Sequence, residues 1–155
     1  MSRREQIAMS DEEVAAFLDE QRVMVCATNG RDGWPHLMPL WYVVRDGELW
    51  AWTYAKSQKV RNLERDAHAT VEVETGEAYD ELRGVMIKAQ AVIHRETDVV
   101  AELGAEIFRR YSQGQAAVAD DFLDTARAQA AKRVGLQLIP QDLASWDHRK
   151  LEGVY

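Results

Sequence analysis

The residues best placed to do chemistry in this chain form one cationic block, Lys56-Ser57-Gln58-Lys59-Val60-Arg61-Asn62-Leu63-Glu64-Arg65. Residues 53–65 carry Lys56, Lys59, Arg61 and Arg65 against Glu64 alone, a local charge of +3 in a chain whose net charge is −7. Ser57 stands where a helix N-cap is expected. The unpaired N–H groups of the first turn and the positive end of the helix dipole would then point where Lys56 and Lys59 can also reach. Such an arrangement holds a phosphate. Val60 and Leu63, three apart, can pin the helix to the body of the protein and leave the lysine face free. The same charges also read as the solvated face of a short helix, and the block does not choose among phosphorylated ligands.

A second feature is aromatic. Trp34, Trp41, Trp50 and Trp52 fall on two adjacent expected strands, with Tyr42 and Tyr54 among them. If Leu49, Ala51 and Thr53 face inward, Trp50 and Trp52 project outward and need cover from a second subunit, a planar ligand or an overlying helix. Single residues say less. Cys26 lies in an apolar run with no basic neighbour and reads as a buried thiol. His36 either faces a ligand from the second strand or is a structural or surface histidine. Asp80-Glu81 and Asp120-Asp121 read as a solvated turn and a helix start. There is no glycine-rich phosphate loop, nucleophile elbow or metal-ligand spacing.

The elements that must position these residues follow from periodicity. Ser10 and Glu13 form a capping-box pair ahead of Val14, Phe17 and Leu18, which predicts a helix over 11–21. Apolar runs at 23–28 and 34–44, closed by Asn29-Gly30 and Asp46-Gly47, and a third strand at 48–53 predict a three-stranded antiparallel meander. Pro35 and Pro39 cannot donate to a ladder, so a bulge or gap is expected along the second strand. A helix over 58–66, strands at 69–74 and 85–94, helices over 98–111 and 117–131 (the latter anchored by Phe122 and Leu123) and a strand at 134–138 ending before Pro140 complete the reading. The predicted class is mainly β (α+β): a six-stranded antiparallel split barrel with peripheral helices, in one domain spanning 1–155.

Composition bounds the function. At 155 residues, 46% of them hydrophobic, the chain can bury one core, which excludes intrinsic disorder. The acidic balance argues against nucleic acid and anionic membrane as partners. No apolar stretch approaches the ~20 residues of a membrane span and none follows the start as a signal core, so a cytoplasmic protein is expected. A single cysteine permits no intramolecular disulfide.

Taken in order, the first helix, the Asn-Gly hairpin, Pro39-Leu40-Trp41-Tyr42, Asp46-Gly47, Trp52-Thr53 and the block from Lys56 to Asp66 resemble the pyridoxamine 5'-phosphate oxidase-like superfamily of flavin- and deazaflavin-binding split β-barrels. Tyr79, Leu82-Arg83-Gly84-Val85 and Ser145-Trp146-Asp147-His148-Arg149-Lys150-Leu151 are similar to its type B deazaflavin branch, whose members use coenzyme F420. The resemblance covers nearly the whole chain. It implies a homodimer with a cofactor in each of two clefts between subunits, the cofactor-binding residues being Met38, Pro39, Leu40, Thr53, Lys56, Ser57, Lys59, Val60, Asn62, Tyr79 and Trp146. The phosphate would rest on Lys56, Ser57, Lys59 and Asn62, the ring along Met38, Pro39, Leu40 and Thr53, with Tyr79 and Trp146 approaching from the partner chain. The implied activity is F420-dependent hydride transfer to a small planar or conjugated substrate. FMN-dependent oxidation or reduction and a noncatalytic cofactor- or haem-binding module stand as alternatives. Because the cofactor supplies the difficult chemistry, the absence of a triad or carboxylate pair is compatible with an enzyme.

Overall fold

The computed structural model describes residues 1–112 and 119–153, with the backbone alone for residues 119–122. In chain order the elements are α1 (Arg3–Ile7), α2 (Asp11–Glu20), β1 (Val23–Asn29), β2 (Pro35–Trp41), β3 (Val43–Arg45), β4 (Glu48–Tyr54), α3 (Gln58–Arg65), β5 (His68–Thr75), β6 (Arg83–His94), α4 (Thr97–Tyr111), α5 (Ala119–Ala130) and β7 (Arg133–Asp147). Short 3-10 turns at Tyr79–Glu81 and His148–Leu151 flank β6 and follow β7. The capping box of α2 forms as the sequence predicts, Ser10 Oγ accepting the Glu13 N–H while the Glu13 carboxylate accepts the Ser10 N–H. The same pattern at Ser2 and Glu5 caps α1, which periodicity did not reveal because that helix has no buried face. The expected start of the last helix at 117 and its Phe122 anchor lie outside the described residues.

The strands form one antiparallel sheet in the order β2-β1-β5-β6-β7-β4-β3, curled about a shared core. Seven strands replace the six expected, because the run 34–44 divides at Tyr42. The Tyr42 N–H leaves the ladder for Tyr111 Oη at 2.9 Å, and the Tyr42 ring is fully buried. The expected three-stranded meander is therefore not formed. β2 pairs only with β1, while β4 pairs with β3 and β7. Between β2 and β3 the barrel is split. Pro35 and Pro39 sit on this edge strand, where a missing donor costs no ladder bond, as their chemistry requires. β7 likewise runs past Pro140, which is accommodated at a register shift opposite Lys88 and Ala89.

Alternation packs the barrel. Met24, Cys26, Leu49, Ala51, Ala69, Val71, Val73, Val85, Ile87, Ala89, Val134, Leu136 and Leu138 are all buried inside it. A second layer forms outside, where α4 and α5 lie over Val43 and Trp52. Trp52 is 9% exposed, packs edge-on against Phe108 with ring centroids 5.6 Å apart, and rests on Gly104. A Cβ at residue 104 would fall 2.3 Å from the Trp52 ring, so only glycine admits the indole. The outward tryptophan at this position is thus covered by a helix of its own chain. Arg110, at the end of α4, donates to the carbonyls of Leu18, Asp19, Gln21 and Tyr42, tying the C-terminus of α2 to the split.

Candidate functional site

α3 crosses one end of the barrel between β4 and β5, and its burial pattern decides which side chains meet a ligand. Val60 and Leu63 plug the barrel end as the spacing predicts. Lys59 and Asn62 are buried with them, so the lysine face is not left free. Lys59 is 6% exposed and its Nζ donates to Thr53 Oγ1 at 3.0 Å. Burial lowers the Lys59 pKa, while the Cys26 thiol, pushed up to about 11 by its own burial, is drawn back slightly by the Lys59 charge. Asn62 is wholly buried, donates from Nδ2 to Thr28 Oγ1 at 3.0 Å and accepts from Gln58 Nε2 at 2.9 Å. It joins the helix to β1.

The first turn of α3 is short of acceptors. Ser57 occupies the N-cap, yet its Oγ makes no capping bond and is buried without a partner. No acidic residue lies in that turn, and Lys56, exposed beside it, makes no hydrogen bond or ion pair. The helix's other end is firmly held. Asn29 Nδ2 donates to Asp66 Oδ2 at 2.8 Å, and Arg65 donates to the Asn29 carbonyl. The Asn29 bond, with those from the His68 backbone and ring, lowers the Asp66 pKa to about 2.

Cross-strand register places Leu40, Met38 and His36 on the face of β2 that also carries Met24, Cys26 and Thr28 on β1, whereas Pro35, Leu37, Pro39 and Trp41 face the other way. Met38 and Pro39 are exposed and Leu40 half-buried. Thr53 lies inside the barrel end beneath Lys59. Thr53, Lys56, Ser57, Lys59, Val60 and Asn62 are therefore brought together, with β2 as a neighbouring wall across β1. Tyr79 and Trp146 are not. Trp146 pairs with Gly84 at the start of β6, while α3 leads into β5 opposite Gln90, about 20 Å along the strand at ~3.3 Å per residue. Tyr79 lies against His148, ring centroids 4.6 Å apart, at that far end.

A cleft of about 980 Å³ opens between the β1–β2 hairpin and the solvent side of α3, bordered by Arg31, Trp34, His36, Gln58, Arg61 and Arg65 among others. Sequence reasoning grouped Arg61 and Arg65 with the cationic block but assigned them no site, and Arg31 and Trp34 were not connected with it. The signal was the Asn29-Gly30 turn, which brings Arg31 back towards the helix. Among the described residues no group of His, Cys, Asp and Glu could hold a metal ion, and no helix is long and apolar enough to cross a membrane.

Fold and site together define an antiparallel split barrel whose end is closed by a helix carrying unsatisfied donors. The family model for pyridoxamine 5'-phosphate oxidase matches residues 10–147, and the chain belongs to that family. Comparison with curated proteins gives no match. Among solved structures, the conserved hypothetical protein Rv2991 from Mycobacterium tuberculosis is 38% identical, with a TM-score of 0.87 over 100% of this chain and 95% of its own. An F420 reductase is 18% identical, with a TM-score of 0.66 over 83% and 94% of the two chains. The heme storage protein HutZ from Vibrio cholerae is 17% identical, with a TM-score of 0.67 over 87% and 94%. These last two likenesses concern the fold.

Proposed function

We propose that the chain is a coenzyme F420-dependent oxidoreductase, FMN being the alternative cofactor, acting on a small planar or conjugated acceptor. The observation that carries this reading is the acceptor-poor first turn of α3. Ser57 Oγ is buried and unpartnered, Lys56 is uncommitted, and Lys59 retains donors beyond its bond to Thr53. Donors gathered without a carboxylate fit phosphate oxygens. Lys56, Ser57 and Lys59 would hold the phosphate, Asn62 and Val60 would fix the helix beneath it, and Met38, Pro39, Leu40 and Thr53 would border the ring. When bound, the cofactor supplies the hydride chemistry. The chain's own task is to bind, exclude water and hold the acceptor carbon about 3–3.5 Å from the reacting atom, which needs no titrating side chain.

A homodimer supports the same reading. β2 is an edge strand exposing Leu37, Met38 and Trp41, apolar on both faces, which a second copy would cover. Tyr79 and Trp146 lie too far from α3 to reach a cofactor bound to their own chain, so they would serve the partner's. Titration of the purified protein with F420 and with FMN, followed by absorbance and fluorescence, tests the assignment. Replacing Lys56 with Ala should weaken the bound cofactor by about 1.5–3 kcal/mol with unchanged circular dichroism. Equal affinity in wild type and variant would remove the phosphate from this corner. A noncatalytic haem-binding module is the competing reading, favoured by His36, whose Nδ1 is buried and whose other ring nitrogen makes no bond. Haem titration with a Soret shift abolished by His36→Ala, and no oxidation of reduced F420 or FMN, would select it.

A further inference from the structure

The cleft between the hairpin and the outer side of α3 is distinct from the corner just assigned to a phosphate. Of the cofactor residues named above only Asn62 borders it. Its cations come from elsewhere: Arg31 from the hairpin tip, and Arg61 and Arg65 from the exposed side of α3. Arg31 and Arg61 make no hydrogen bond or ion pair. Arg65 gives one N–H to the Asn29 carbonyl and keeps the rest of its fork. The two acids of the cleft are occupied otherwise, Asp32 accepting the Trp34 N–H at 3.1 Å and Glu64 pairing with Arg95 at 2.9 Å. Three guanidiniums thus border one cavity with no carboxylate turned on them, an arrangement that repels itself until an anion enters.

The cleft also carries an aromatic surface with no structural duty. Trp34 is 76% exposed, belongs to neither core cluster and has no ring partner. It is nonetheless held firmly at the rim. The Gly30 N–H donates to the Trp34 carbonyl at 3.0 Å, and a Cβ on residue 30 would fall 2.3 Å from that oxygen. Pro35 stiffens the chain directly after it and also borders the cleft.

We infer that this cleft is a nucleotide site, with phosphates on Arg31, Arg61 and Arg65 and the base stacked on Trp34. Forked guanidiniums recognise phosphate oxygens in pairs, and a flat indole at the rim recognises a ring. An anion without a ring would leave Trp34 unused, and a ring without phosphates would leave the arginines unpaired. The volume, about 980 Å³, suits a nucleotide. The nucleotide is either free or the adenylate half of a dinucleotide. This inference does not depend on the F420 reading, which concerns a different set of donors.

Calorimetric titration of the full chain with ADP, inorganic pyrophosphate, FMN, F420 and FAD tests it. ADP should bind the wild type more tightly than pyrophosphate. Replacing Arg31 and Arg61 together with Ala should weaken ADP about a hundredfold, roughly tenfold for each lost charge-assisted contact. Trp34→Ala should weaken ADP about tenfold and leave pyrophosphate unchanged, because stacking serves only the base. FMN and F420 should bind all variants as they bind the wild type. If FAD binds more tightly than ADP and loses that advantage in the arginine variant, the nucleotide belongs to a dinucleotide; if not, it is a free ligand. ADP binding that ignores the arginines, or that merely equals pyrophosphate binding, overturns the site. So does a parallel collapse of FMN or F420 affinity, which would make the cleft part of the cofactor corner. Failure of FMN and F420 to bind any form, with ADP bound as described, would defeat the functional proposal and leave this inference standing.

Discussion

Replacing Lys59 with Met separates what this residue does for the fold from what it does for a ligand. The substitution keeps the length and apolar stem of the side chain and removes only the ammonium, which is buried and has one bond, 3.0 Å to Thr53 Oγ1. A charge-assisted hydrogen bond contributes about 1.5–3 kcal/mol, but a buried charge loses several kcal/mol of hydration, and exchanging such a group for an apolar isostere is commonly neutral or stabilising. The free variant should therefore be as stable as the wild type within about 1 kcal/mol at pH 7, or more stable. The sign of the pH dependence follows from the lowered pKa of Lys59. The native state releases this proton more readily than the unfolded chain, so the penalty is fully present at neutral pH. It shrinks as pH rises through the native value and vanishes above the unfolded value of about 10.4. Urea unfolding of both proteins from pH 7 to 10.5 should show the wild type gaining on the variant towards alkaline pH. Cofactor affinity should meanwhile fall by about 1.5–3 kcal/mol, roughly ten- to hundredfold. A stability loss above about 2 kcal/mol at pH 7, with cofactor affinity retained, would refute the reasoning and make Lys59 a structural residue.

Three further outcomes are expected. Gly104→Ala drives a methyl into the Trp52 ring and should destabilise by about 1–3 kcal/mol, seen as a lower Tm, with Trp52→Leu in the same chain recovering part of the loss. Arg110→Met leaves the carbonyls of Leu18, Gln21 and Tyr42 without their shared donor. It should cost about 2–4 kcal/mol in chemical denaturation, more than Arg110→Lys, since a single ammonium cannot span all of them. The depressed pKa of Asp66, about 2, means that its stabilising contribution is present above the unfolded carboxylate range near pH 4 and is lost as pH falls towards 2. Acid unfolding followed by circular dichroism should be less steep in that window for Asp66→Asn, and an unchanged profile would remove the group from the account.

How much of this was legible in the sequence depended on whether the deciding interaction was local. The capping box at Ser10 and the alternation along β6 are local, and both appear as read. The split at Tyr42 is not, because its N–H finds Tyr111, a residue 69 positions away that no pattern in the strand announces. Pro39 hinted that the strand would lack a neighbour but could not say that the neighbour would be absent altogether. The same limit explains the meander. Hairpin signals at Asn29-Gly30 and Asp46-Gly47 specify turns, and both turns exist. Whether β2 then pairs with β4 is a tertiary choice, which fell instead to β7. Trp52 shows how the alternatives separate: the answer lay in Gly104, a residue that looks like a liability inside a helix until the indole above it is seen.

The most instructive departure concerns the lysine face of α3. Spacing correctly identified Val60 and Leu63 as anchors, but an eight-residue helix laid across a barrel end buries more than one stripe, and Lys59 and Asn62 were carried in with them. An amphipathic pattern cannot reveal this, since a lysine and an asparagine count as polar wherever they point. Their burial is tolerated because each meets a threonine hydroxyl from the strand facing it, Thr53 on β4 and Thr28 on β1. Those two threonines stand in otherwise apolar runs at the ends of β4 and β1 nearest α3, where valine would have served packing better. Their hydroxyls are what a buried ammonium and a buried amide require. The polar end of the barrel is therefore built jointly by helix and strands. The charges that remain outside, Lys56, Arg61 and Arg65 together with Arg31 from the hairpin, are the ones free to meet a ligand arriving from solvent.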